Sequence, residues 1–147
     1  MALNEKLNED MKAAMKAKDK FKLSVLRMIR SEIKNEEINK KGQVDDEEII
    51  EVLSRELKKR REALEEYKKA GREDVVQDLD KEINILLSYM PEQLDEEEIE
   101  RLAKEAVEET GAETKKDMGK VMGVLMPRLK GKADGKLVNK IVQKYLE

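Results

Sequence analysis

Aliphatic residues recur at helical spacing along nearly the whole chain, interrupted only where a glycine, a proline or a capping residue stands. Leu3, Leu7, Met11, Ala14 and Met15 share one face of a first helix, and Leu23, Leu26, Ile29, Arg30 and Ile33 line a second that Asp19 can cap before a turn at Gly42. A period of three to four residues marks amphipathic helices, which are stable only when that stripe is buried against a neighbour. Val44, Asp45, Glu48 and Ile49 have the spacing of an acidic capping box with a hydrophobic staple, so a long third helix is expected from there. Its stripe is Ile49, Ile50, Leu53, Leu57, Leu64 and Tyr67, and Gly71 stands where a glycine closes a helix. A fourth stripe, from Val75 to Met90, ends at Pro91.

The same start signal returns at Leu94, Asp95, Glu98 and Ile99, with Gly111 as the stop. Thr114 and Asp117 open a helix through Met118, Val121, Met122 and Leu125, and Asp134 caps a last one carrying Leu137, Val138, Ile141, Val142 and Tyr145. Pro127 either ends the sixth helix near Leu125 or kinks it. The fold class expected is all-α, with an antiparallel helical bundle over residues 1–91 followed by a small three-helix domain over residues 92–147. The low aromatic content, 3% against 44% charged residues, agrees with salt-laced helices rather than a β-sandwich.

The chain has no cysteine and no histidine, which removes disulfides, thiolate nucleophiles, imidazole bases and the usual zinc ligands. No catalytic residue, metal or cofactor is expected. The acids of "DEEEIERLAKEAVEE" point around a helix rather than to one place and are explained by the positive end of the helix dipole. No apolar run approaches the roughly 20 residues of a membrane span, and the charged N-terminus does not read as a signal peptide. A cytosolic protein without a membrane partner is the expectation from composition.

A net charge of −3 conceals segregation of sign. Residues 92–113 hold ten acids and two bases, whereas residues 115–147 hold nine bases and three acids. In the basic stretch, Arg128, Lys130, Lys132 and Lys136 cluster about Gly131 and the start of the last helix, where free N–H groups and the dipole favour an anion. Lys116, Lys120 and Lys140 extend the patch if they project to the same side. Such a surface grips phosphates without reading bases, and the scarcity of aromatic residues disfavours single-strand stacking. A solvated basic face balancing the acidic helix is the alternative for the same residues. The run Lys58, Lys59, Arg60 and Arg61 on the third helix is a second candidate surface, although interleaved glutamates make a plain solvated helix the simpler reading. Gly119 and Gly123, in a GxxxG spacing, are expected to let two helices cross closely, and Met118, Met122 and Met126 to pack in a core.

The stretches "DMGKVMGVLMPRLKGKADGKLVNKIV", "YMPEQLDEEEIE" and "LNEDMKAAMKAKDKFKLSVLRMIRSEI" resemble the stand-alone YqeY-like proteins of the GatB/YqeY group, and the similarity covers essentially the whole chain. The resemblance implies an N-terminal helical bundle and a small helical C-terminal domain. It also implies kinship with the tail of the B subunit of glutamyl/aspartyl-tRNA amidotransferase, which contacts tRNA away from the catalytic centre. Members often bear a carbon–nitrogen ligase label with glutamine as amide donor, but the kinase-like and transamidating parts of that subunit have no counterpart here. The function expected is therefore non-catalytic binding of tRNA or another structured RNA. A protein–protein adaptor working through the N-terminal bundle is the alternative, and amidotransferase chemistry the weakest.

Overall fold

The computed structural model describes residues 2–147, and every regular element among them is helical. The chain divides into two compact units, Met1–Met90 and Pro91–Glu147.

The first unit holds α1 (Ala2–Lys16), α2 (Lys20–Lys40), α3 (Asp46–Lys69) and α4 (Glu73–Leu87). The starts of α2 and α3 follow from local signals. The Asp19 carboxylate accepts from the Lys22 N–H at 3.1 Å, and Asp45 and Glu48 exchange side-chain and backbone bonds across the first turn of α3. Val44 and Ile49, both fully enclosed, form the staple that fixes the entry of α3. Its end is a Schellman closure: Gly71, at φ 71°, donates to the Lys68 carbonyl and Arg72 to that of Tyr67. That left-handed turn explains the glycine. At the end of α2 it is Lys41, at φ 61°, and not Gly42 that takes the left-handed conformation. The stripes meet in one core built around Leu7, Leu26, Ile29, Ile49, Leu53 and Leu86.

Two expectations change here. Helix α4 stops at Leu87 instead of running to Pro91, since the residue before proline is disfavoured in the α region, although Met90 still packs against the core. The chain then tightens into i→i−3 bonds from Tyr89 and Met90, which swings Tyr89 into the core at 4% exposure. Met15 and Tyr67, assigned to buried stripes, are exposed near the ends of α1 and α3.

The second unit holds α5 (Glu96–Thr110), a single 3₁₀ turn (Lys115–Asp117), α6 (Met118–Leu129) and α7 (Gly135–Gln143). Asp95 caps α5 by accepting from Glu98 N–H at 2.8 Å, and Gly111 at φ 67° closes it. The Asp117 carboxylate accepts from the backbone N–H groups of Glu113 and Thr114, which hold it below the usual carboxylate range. The last residue is tied to the start of this turn, with Glu147 N–H donating to Glu113 and Lys115 N–H donating to Glu147. Ile99, Ala103, Val121, Leu125, Val138 and Ile141 form the centre of the second core.

The close crossing over Gly119 and Gly123 does not occur: both glycines are exposed, and a Cβ built on either meets nothing within 4 Å. The face of α6 that packs is the one carrying Val121, Leu125 and Leu129, with Met118, Met122 and Met126 half-buried at its border. Pro127 does not end the helix, which continues to Leu129. The backbone carbonyl that proline deprives of an i+4 donor belongs to Gly123, which lies open to water and so stays hydrated. Tyr145 is exposed rather than in the final stripe, because α7 gives way to i→i−3 turns after Gln143 and the phase shift buries Leu146 in its place.

Candidate nucleic-acid interface

The basic segment 115–147 spans the 3₁₀ turn, α6, the turn at Gly131 and α7. Three hydrogen bonds from Gln93 and Leu94 fix the chain entering α5, two of them against the turn at Gly131. Gln93 Nε2 donates to the carbonyls of Pro91 (2.9 Å) and Gly131 (2.8 Å), and Leu94 N–H donates to the Lys132 carbonyl at 2.9 Å. Glutamine at position 93 therefore holds the entry to α5 against the α6–α7 connection, a role that no local pattern in the sequence marks.

The seven candidate cations are not gathered onto one uncontested side. Arg128 reaches across to α5 and forms a two-pronged pair with Glu109, at 2.8 and 3.2 Å. The hydrogen bond with Glu109 raises the Arg128 pKa, and the same bond lowers that of Glu109. Lys132 lines a groove of about 300 Å³ together with Gln93, Leu94 and the acids Glu92, Asp95 and Glu98. Lys130 and Lys136 are likewise engaged rather than free. Lys120 stands in the first turn of α6, eight residues and so roughly 12 Å along the helix axis from Arg128, and Lys116 precedes it in the 3₁₀ turn. The N-terminus of α7 is not an open anion site, since Asp134 already caps it by accepting from Lys136 N–H at 3.2 Å. Arg128 is therefore neutralised by Glu109 rather than standing as a free cation beside Gly131.

What α7 does present is a polar face made of Lys136, Asn139, Lys140, Gln143 and Lys144, all exposed. No carboxylate occurs between Asp134 and Glu147. The lysines follow at i, i+4 and i+8, which aligns them along one side of the helix. Lys144 lies 3.8 Å from Glu100 of α5, an exposed pair of the weak kind that a polyanion can displace. The opposite face of α7, through Val138, Ile141 and Val142, is fully buried and holds the row in place.

The second candidate surface, on α3, dissolves. Arg60 turns inward with only 13% of its side chain exposed, paired to Glu56 at 3.0 Å and facing Glu82 at 3.6 Å, while Lys59 also pairs with Glu56. Among the described residues no group of three or more histidine, cysteine or acidic side chains is placed to hold a metal ion.

The molecule is thus an all-helical protein of two compact units, the second of which sets an acidic helix against basic ones. The chain belongs to the YqeY-like protein family, whose profile it matches over residues 4–146. Among curated proteins it is 33% identical over 104 residues to "Altered inheritance of mitochondria protein 41, mitochondrial" of Pyrenophora tritici-repentis, covering 69% of this chain and 58% of that one. Proteins of the same name from Kluyveromyces lactis and Saccharomyces cerevisiae are 37% and 35% identical over 84 and 85 residues, covering 56% and 57% of this chain and 45% and 46% of theirs. The chain spans about half the length of the curated relatives it matches. Their names also overturn the cytosolic placement read from composition: they are called mitochondrial proteins. Charge and hydropathy of a folded domain report its solvent, not its compartment.

Proposed function

We propose that the second unit binds tRNA or another structured RNA through its phosphate backbone, without catalysis, and that the exposed lysine face of α7 is the contact. The observation that carries this reading is the aligned row Lys136, Lys140 and Lys144, all exposed although Lys136 and Lys144 also have partners within the protein, on a helix whose other side is locked in the core. A rigid row of cations neutralises phosphates at little ordering cost, and such contacts supply affinity without base identity. Lys116 and Lys120, both exposed on the same unit, extend the positive field, whereas Arg128 is spent on Glu109 and contributes little unless that pair opens. The resemblance of the closing third to the tRNA-contacting tail of the amidotransferase supports the same class of ligand. The names of the relatives make a mitochondrial tRNA pool a sensible first probe beside a total pool.

The test is fluorescence anisotropy of the full chain with labelled tRNA between about 50 and 200 mM salt. Affinity is expected to fall steeply with salt, and Lys136→Gln with Lys140→Gln to weaken binding at least tenfold on every RNA tried, with a salt slope shallower by about two. Negligible binding at both salts, or a double variant that binds like the wild type, removes the reading. In that event capture of a protein partner by the full chain, lost when the exposed face of α3 is altered, would favour the adaptor role.

A further inference from the structure

A run of positive charge lies in the first unit, whereas α7 belongs to the second. Lys12, Lys16, Lys18, Lys20 and Lys22 fall within eleven residues against a single acid, Asp19. They occupy the end of α1, the connecting turn and the start of α2. Asp19 is committed to capping α2. None of the five ammonium groups has an ion-pair partner among the described residues. Lys81 of α4 adds a sixth cation, its Nζ lying 5.8 Å from the centre of the Phe21 ring.

Apolar side chains are interleaved with this charge. Every residue from Lys12 to Phe21 except Ala14 is exposed, and among them Met15 shows 53% and Phe21 36% of its surface to solvent. The turn itself closes α1 with bonds from Lys18 to the Met15 carbonyl and from Asp19 to that of Ala14. Lys18 takes φ 58° there, a left-handed conformation that places a lysine at the apex of the turn.

We infer that the α1–α2 turn is a docking surface for an anionic phospholipid membrane. The lysines lie against headgroup phosphates, and Met15 and Phe21 enter the boundary between headgroups and acyl chains. Charge alone would suit any polyanion, but a thioether and a ring exposed between lysines match a surface that is anionic outside and apolar a few ångströms beneath. A flexible methionine gains nothing from a phosphate backbone. No helix of the described chain is long and apolar enough to cross a membrane, so the attachment is peripheral. It also involves a different unit from the RNA face and stands or falls separately.

Co-sedimentation of the full chain with vesicles of phosphatidylcholine alone, or containing about 30% phosphatidylserine, tests this at 0.1 M salt. Binding is expected to the anionic vesicles only. Each lysine near such a surface is worth about a fivefold factor in partitioning, so Lys16→Glu with Lys20→Glu should lower it at least twentyfold. Met15→Ser with Phe21→Ser should lower it about fivefold or more, with unchanged helix content by circular dichroism, because both side chains are exposed. Absence of binding to anionic vesicles overturns the inference, as does binding that survives either double substitution. Loss of tRNA binding in the charge-reversed variant, with vesicles left unbound by the wild type, would assign the turn to RNA instead.

Discussion

Tyr89 is the one buried member of four aromatic side chains. Its hydroxyl donates to Asp10 Oδ2 at 2.5 Å, and Lys6 Nζ sits 5.2 Å from the ring centre, so one side chain clasps the end of α4 to α1. Burial first, and then the bond to Asp10, push its pKa well above the ordinary tyrosine value. The fold thus favours the neutral phenol. That contribution is complete below the unfolded pKa of about 10 and is lost as pH rises beyond it toward the folded value. Tyr89→Phe is expected to lower stability at neutral pH by about 1–2 kcal/mol. It should also flatten the decline of stability above about pH 10 relative to the wild type, as urea midpoints across the pH range will show. Equal alkaline slopes for the two proteins would contradict this account. The helical stripe could not reveal this residue, because Tyr89 lies past the point where Pro91 breaks the period.

Within single elements, α6 and α3 carry the differences between pattern and packing. A glycine pair at i and i+4 looks like a crossing point, yet the partner helices meet α6 on its other face. Gly123→Ala should therefore stabilise the protein by about 0.5–1 kcal/mol through helix propensity, measured by thermal unfolding. A fall in melting temperature would show that the position is crowded after all. In α3, Glu56 is 6% exposed and receives Arg60 Nη1 on its carboxylate and on its backbone carbonyl. Arg60 Nε is buried without a hydrogen-bond partner, and Nη2 lies 3.8 Å from the Met28 sulfur. Removing one member of such a pair strands the other, whereas replacing both with apolar groups does not. Glu56→Ala should cost about 2–4 kcal/mol in urea unfolding, and Glu56→Leu with Arg60→Met should recover most of it. If the single substitution is silent, the network contributes nothing. By periodicity Glu56 and Arg60 belong to a solvated i, i+4 pair; the packing of α4 and α2 over them changes that.

For the whole molecule, two separate cores make independent loss of structure the expected response to damage. Leu53→Ala at the centre of the first core should cost about 2–5 kcal/mol. Hydrogen exchange should then accelerate across α1–α4 while protection in α5–α7 is kept. Acceleration spread evenly over both units would mean that they unfold as one. The division of charge follows the same scale: acid and base alternate between α5 and the segment after it, and much of the apparent basic excess is absorbed by pairs such as Arg128 with Glu109.

The order of the helices, their starts at Asp19, Asp45, Asp95 and Asp134, their closures at Gly71 and Gly111, and most of the buried stripes were legible in the residues themselves. Caps and stripes act over five residues or fewer, so a local pattern contains them. The sign of each surface was not legible. Whether a lysine is free, a glutamate buried or a glycine crowded depends on partners such as Glu109 for Arg128, nineteen positions away, or Asp10 for Tyr89, seventy-nine away. Only the packing of the helices brings those groups within reach, and electrostatic neutralisation is decided at that distance of a few ångströms.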